Sequence, residues 1–107
     1  LLTKTKETLM NANRANVVPV PAPRRYLIQR TFPAGALDGV TPEVKKVVND
    51  NNKDLGVTWE HSYANADKTK TFCIYTGPSE SAVREAAKKN SLPVDSVTEI
   101  PVILYPK

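Results

Sequence analysis

His61 and Cys73 are the only histidine and the only cysteine among 107 residues. Imidazole and thiolate together suit nickel, copper and zinc, and a second copy of the chain would double the donors. The same pair could also serve as a Cys–His nucleophile, which needs an activated thiolate and an oxyanion site. No third orienting residue and no Gly-rich loop accompanies them, so an enzyme is not expected. The plainer alternative is packing, with cysteine as a small apolar filler and histidine as a hydrogen-bonded neighbour. A single cysteine excludes an internal disulfide, CxxC redox chemistry and a four-cysteine zinc site. A single histidine excludes any site that takes two histidines from one chain.

Whether the pair can cooperate depends on the strands that carry it. "VTWEHSY" (57–63) and "TKTFCIYT" (69–76) read as two strands around "ANADK", where Asn and Asp favour a tight reversal. A three-residue loop at Ala66-Asp67-Lys68 would set Asn65 opposite Thr69. Counting back, Tyr63 then faces Thr71, His61 faces Cys73 and Trp59 faces Tyr75. Directly opposed side chains lie roughly 4.5–5.5 Å apart at Cβ. A slip of one residue would part the two groups.

The flanking segments complete a fold. "RRYLIQRTF" (24–32) is a strand ended by Pro33 and Gly35. Thr41-Pro42-Glu43 opens a helix over about 42–55, with threonine as cap, proline in the first turn and glutamate at the positive end. Val44, Val47, Val48 and Leu55 recur at helical spacing, and Gly56 closes the helix. Gly77-Pro78-Ser79 starts a second helix over about 79–90, with Ala82, Val83, Ala86 and Ala87 as its apolar stripe and Asn90 at the left-handed closing position. "SVTEIPVILY" (96–105) is the last strand, and Pro101 places it at a sheet edge. The order β-α-β-β-α-β predicts an α+β, ferredoxin-like antiparallel sheet of four strands with both helices on one face.

The other face would be bare. Phe72 and Ile74 look like core beneath the helices, whereas Glu60 does not. That assignment puts His61, Cys73, Trp59, Tyr63 and Tyr75 on the open face. A face with three aromatics is too apolar for water, so stacking of two open faces into a homodimer is expected.

The charge is unevenly distributed. Lys4, Lys6, Arg14, Arg24, Arg25 and Arg30 oppose only Glu7 in residues 1–30, and the remainder is nearly neutral. Residues 1–24 therefore form a basic arm ahead of the domain (25–107), with "VVPVPAP" (17–23) as an extended, polyproline-like strap. A basic arm on a neutral domain argues against nucleic acid. So does "KTFCIYT", which lacks the glycine of the RNA-recognition motif. No stretch reaches the roughly 20 apolar residues of a membrane span. The start at Leu1 is compatible with export after leader removal and equally with a cytoplasmic protein.

Several stretches are similar to a family of small bacterial proteins named for nickel binding. They are "YLIQRTFP" (26–33), "GVTWEHSY" (56–63), "ADKTKTFCIY" (66–75), "AVREAAKKNSLPVD" (82–95) and "VTEI" (97–100). The resemblance covers Arg25 to Lys107. It implies a ferredoxin-like homodimer that binds nickel at surface sites and has no established catalysis. The family's His, Tyr, Asp, Cys and Tyr fall on His61, Tyr63, Asp67, Cys73 and Tyr75, which makes these the implied metal residues. Glu60 stands where relatives tend to be apolar, and Gln29 where they tend to have glutamate. The arm lies outside the resemblance. Its obvious use is to reach a neighbouring subunit and link domains into a homopolymer or filament.

Overall fold

The computed structural model describes residues 22–107. The arm and its proline strap fall almost wholly outside them. Four strands, β1 (Arg24–Thr31), β2 (Thr58–Ala64), β3 (Lys70–Gly77) and β4 (Ser96–Glu99), form one antiparallel sheet in the order β2-β3-β1-β4. Helices α1 (Pro42–Lys53) and α2 (Glu80–Lys89) follow β1 and β3. The expected ferredoxin-like α+β fold is the observed one.

Local chemistry accounts for the helix ends. The Thr41 hydroxyl accepts from the Val44 N–H at 3.2 Å, and Pro42 takes the first turn. Ser79 does the same for Ala82 at 3.1 Å. At the end of α2 the left-handed position falls on Ser91 (φ 58°), one residue beyond the expected Asn90. The Leu92 N–H reaches the Ala87 carbonyl and the Ser91 N–H reaches that of Lys88, a pair of bonds that closes the helix. Asn90 is used otherwise: its amide donates to Asn52 Oδ1 and its oxygen accepts from Asn51, which ties α2 to α1.

Alternation along β1 sends Tyr26, Ile28 and Arg30 toward the helices, and all three are buried. Tyr26 and Ile28 join Val57, Cys73, Tyr75, Val83 and Ala86 in the core, flanked by Leu55, Trp59, Ala82, Val94 and Val97. Phe72 and Ile74 therefore lie on the open face, the reverse of the sequence expectation.

The last strand is also shorter than expected. Its pairing stops at Glu99, after which the Ile100 N–H still bonds the Arg25 carbonyl. Pro101 has no N–H to continue the ladder, and Val102, Ile103, Leu104 and Tyr105 are exposed. The edge position predicted from that proline holds.

Candidate functional site

Two irregularities of the central hairpin decide where the chemistry goes. The loop spans four residues, Ala66 to Thr69, so Asn65 pairs with Lys70 and not with Thr69. Asn65 Oδ1 accepts from both the Thr69 and Lys70 N–H groups, and Lys68 takes the left-handed conformation (φ 59°). Pairing thus begins one residue out of the expected register. It returns to that register at a β-bulge between Trp59 and His61.

Trp59 accordingly opposes Tyr75 as expected, because the two displacements cancel there. Between them the pairs differ: His61 opposes Ile74, Ser62 opposes Cys73 and Tyr63 opposes Phe72. Opposed residues share a face. His61 and Tyr63 are on the open face with Ile74 and Phe72, and Cys73 is behind the sheet with Tyr75 and Trp59. The expectation that His61 faces Cys73 is corrected: the imidazole and the thiol lie on opposite sides.

On the open face the His61 and Tyr63 rings meet edge to face, with centroids 5.3 Å apart and planes at 87°. Both residues are exposed, Tyr63 at 64%. Glu60, the extra residue of the bulge, accepts a hydrogen bond from Thr76 Oγ1 at 3.0 Å. Leu27, Phe72 and Ile74 lie half-buried on the same side.

Behind the sheet the Cys73 thiol is buried and its sulfur is 3.5 Å from Thr71 Oγ1. Tyr75 is 4% exposed. Burial pushes its phenol above the ordinary value, with the neighbouring Arg30 charge opposing the rise. Asp67 sits in the loop, where the Thr69 hydroxyl and N–H donate to Oδ1 at 2.6 and 3.1 Å and hold its carboxyl below the usual range. The five implied residues therefore divide three ways: His61 and Tyr63 on the open face, Cys73 and Tyr75 in the core, Asp67 at the hairpin tip. Among the described residues no three His, Cys, Asp or Glu side chains come close enough to hold a metal ion together.

Residues 26–100 match the model of the family described as Nickel responsive protein SCO4226-like. The chain belongs to that family. The crystal structure of SCO4226 from Streptomyces coelicolor A3(2) has the same fold, with a TM-score of 0.55 at 19% identity, over 75% of this chain and 99% of that one. No curated protein sequence matches. The SCO4226-like fold positions both residues of the open-face pair, His61 and Tyr63, on β2, an edge strand whose bulge turns His61 outward.

Three features were not expected from the sequence. Asn52 is buried, although it interrupts a helical face read as valine and leucine. Arg30 is buried as well, and here a signal existed: it alternates in phase with Tyr26 and Ile28. The bulge had a signal too, in the conflict between Glu60 and any assignment that buries it.

Proposed function

We propose that the chain is a non-enzymatic nickel-binding protein that self-associates through its open sheet face, with His61 as the imidazole donor. The observation that carries this reading is the position of His61, exposed beside Tyr63 on a face that also presents Leu27, Phe72 and Ile74. The family's name supports the metal. The donors of one described domain do not fit a complete nickel shell, since no cluster of three exists among the described residues. A pair of domains fits better: two open faces in opposition contribute two imidazoles and cover the apolar side chains between them. Tyr63, and Asp67 at the hairpin tip, remain available as oxygen donors, whereas Cys73 and Tyr75 are proposed to be core residues and not ligands. The separation of His61 from Cys73 supports the absence of Cys–His catalysis, because the base cannot reach the thiol through the sheet.

Calorimetry with nickel tests the assignment. His61→Ala is expected to weaken binding by about tenfold or more, as loss of a metal-site residue does. Cys73→Ser is expected to leave the affinity within about twofold, since small-scale repacking of the core does not alter the donor set. Loss of binding in Cys73→Ser with His61→Ala unaffected would refute the open-face site. A monomeric mass in solution, with and without nickel, would refute the pairing.

A further inference from the structure

Helix α1 does not close on the sheet along its whole length. Its C-terminal end is anchored by Asn52, and the hydrogen bonds from Asn51 and to Asn52 hold it to Asn90. Toward its N-terminus Val44 and Val47 remain exposed, at 41% and 58%. Between this end of α1 and the sheet lies a half-open cavity of about 330 Å³, lined by Val44, Val48, Trp59, Thr71, Tyr75 and Arg30, among others. That volume is in the range of small-molecule sites.

Most of the wall is apolar; Lys45 at the exposed rim and Arg30 bring charge to it, and Arg30 does so while only 2% exposed. A buried guanidinium is costly unless it is paired. Its Nη1 donates to the Pro93 carbonyl at 2.7 Å, and its central carbon lies 5.7 Å from the centre of the Tyr75 ring. Among the described residues no carboxylate pairs with it. The ion pairs there belong to Arg24, Lys46, Lys68, Arg84 and Lys89. Among the described residues the planar fork, suited to a two-oxygen partner, meets none.

We propose that this cavity binds a small amphiphilic monocarboxylate, with the carboxylate on the Arg30 guanidinium and the hydrocarbon against Trp59 and the α1 valines. Each part of the ligand answers a part of the wall. The buried positive charge calls for an anion, and the guanidinium geometry favours a carboxylate. The apolar lining calls for hydrocarbon and disfavours a compact dianion such as phosphate. At roughly 30 Å³ per atom-sized unit, the space taken by one liquid water, the volume holds about ten non-hydrogen atoms, the size of octanoate. Thr71 and Tyr75 belong to the same lining. The site is behind the sheet, on the opposite side from His61, although Tyr63 of the edge strand also borders it; the anion contact rests on Arg30 and not on the nickel reading.

Trp59 is the chain's only tryptophan, so its emission reports on the cavity. Titration of the full chain with octanoate is expected to give a saturable change in that emission. Octan-1-ol and octylamine, which cannot pair with Arg30 as an anion does, are expected to bind at least about tenfold more weakly. Arg30→Gln is expected to weaken octanoate by a similar factor while leaving octan-1-ol unchanged. Val44→Phe, at a position 41% exposed, is expected to fill the cavity and abolish the response to all three. The proposal is overturned if octanoate gives no saturable response, as it would were the cavity taken by an N-terminal segment. Equal affinity for octan-1-ol overturns it too, as does a folded Arg30→Gln that binds octanoate normally. Should Arg30→Gln fail to fold, Val44→Phe decides: unchanged octanoate binding means that the ligand sits elsewhere.

Discussion

Helices α1 and α2 pack on the same side of one sheet, yet they are held in different ways. α2 buries a stripe of small residues, with Val83, Ala86 and Ala87 at 1–3% exposure. It comes so close to β3 that a side chain at position 77 would be crowded: an added Cβ would lie 3.2 Å from Val57 Cγ2 and 3.3 Å from Val83 Cγ2. α1 carries larger valines, leaves two of them in solvent and buries only Asn52. Small side chains allow close approach and leave no room for a ligand. Large ones that stop short of the sheet leave a cavity. Close packing is concentrated at α2, and open volume lies beneath α1.

The largest expected effect separates these two regions directly. Val83→Ala removes two buried methyl groups from the tightest contact of the core and is expected to cost roughly 1.5–3 kcal/mol in urea unfolding. Val47→Ala, on the exposed side of α1, is expected to stay within about 0.5 kcal/mol. Equal losses would mean that α1 is packed as firmly as α2, and the contrast would collapse.

Gly77→Ala sharpens the same point from the other direction. The new methyl group must push on Val57 and Val83 at once, and neither can move far inside the core. An overpacking loss of about 1–2 kcal/mol is expected, together with a lower midpoint and an unchanged urea slope. A neutral result would show that α2 can shift away from the sheet as easily as α1 stands off it.

How much of this could be read beforehand depended on whether a signal was local. The caps at Thr41 and Ser79 and the edge position implied by Pro101 follow from one residue and its neighbours. The hairpin did not follow, because its register depends on loop length, and Lys68 adopts a left-handed conformation that its residue type does not announce. One displaced pairing at the loop and one bulge at Glu60 cancel at Trp59–Tyr75 but not at His61. A count from the loop therefore reaches the right pair for the aromatics and the wrong one for the histidine. Orientation of the faces failed for a related reason. Phe72, Ile74, Cys73 and Tyr75 are all apolar enough for a core, so β3 alone holds no clue, whereas Arg25, Gln29 and Thr31 on β1 mark the open side clearly. The cavity was illegible, since spacing shows which residues of α1 share a face but not how far that face stands from the sheet.

The smallest expected effect asks how dry the sheet is beneath α1. Tyr75 borders the cavity, yet its phenol is raised above the ordinary value of 10.0, chiefly by burial. Below that value the phenol is protonated in both folded and unfolded chains and stability does not depend on it. As pH rises past 10.0 the unfolded chain releases the proton first, so the folded state loses stability until its own higher pKa is passed. Thermal unfolding from pH 9 to 11 should therefore show a decline, part of which Tyr75→Phe removes; lysine titration contributes equally to both proteins and drops out of the difference. Arg30 opposes the rise, so Arg30→Gln is expected to deepen the decline that depends on Tyr75. Identical profiles for the parent and Tyr75→Phe would mean that water already fills the space around the ring. The α1 side would then be an open cleft, with no desolvated wall to favour hydrocarbon over solvent.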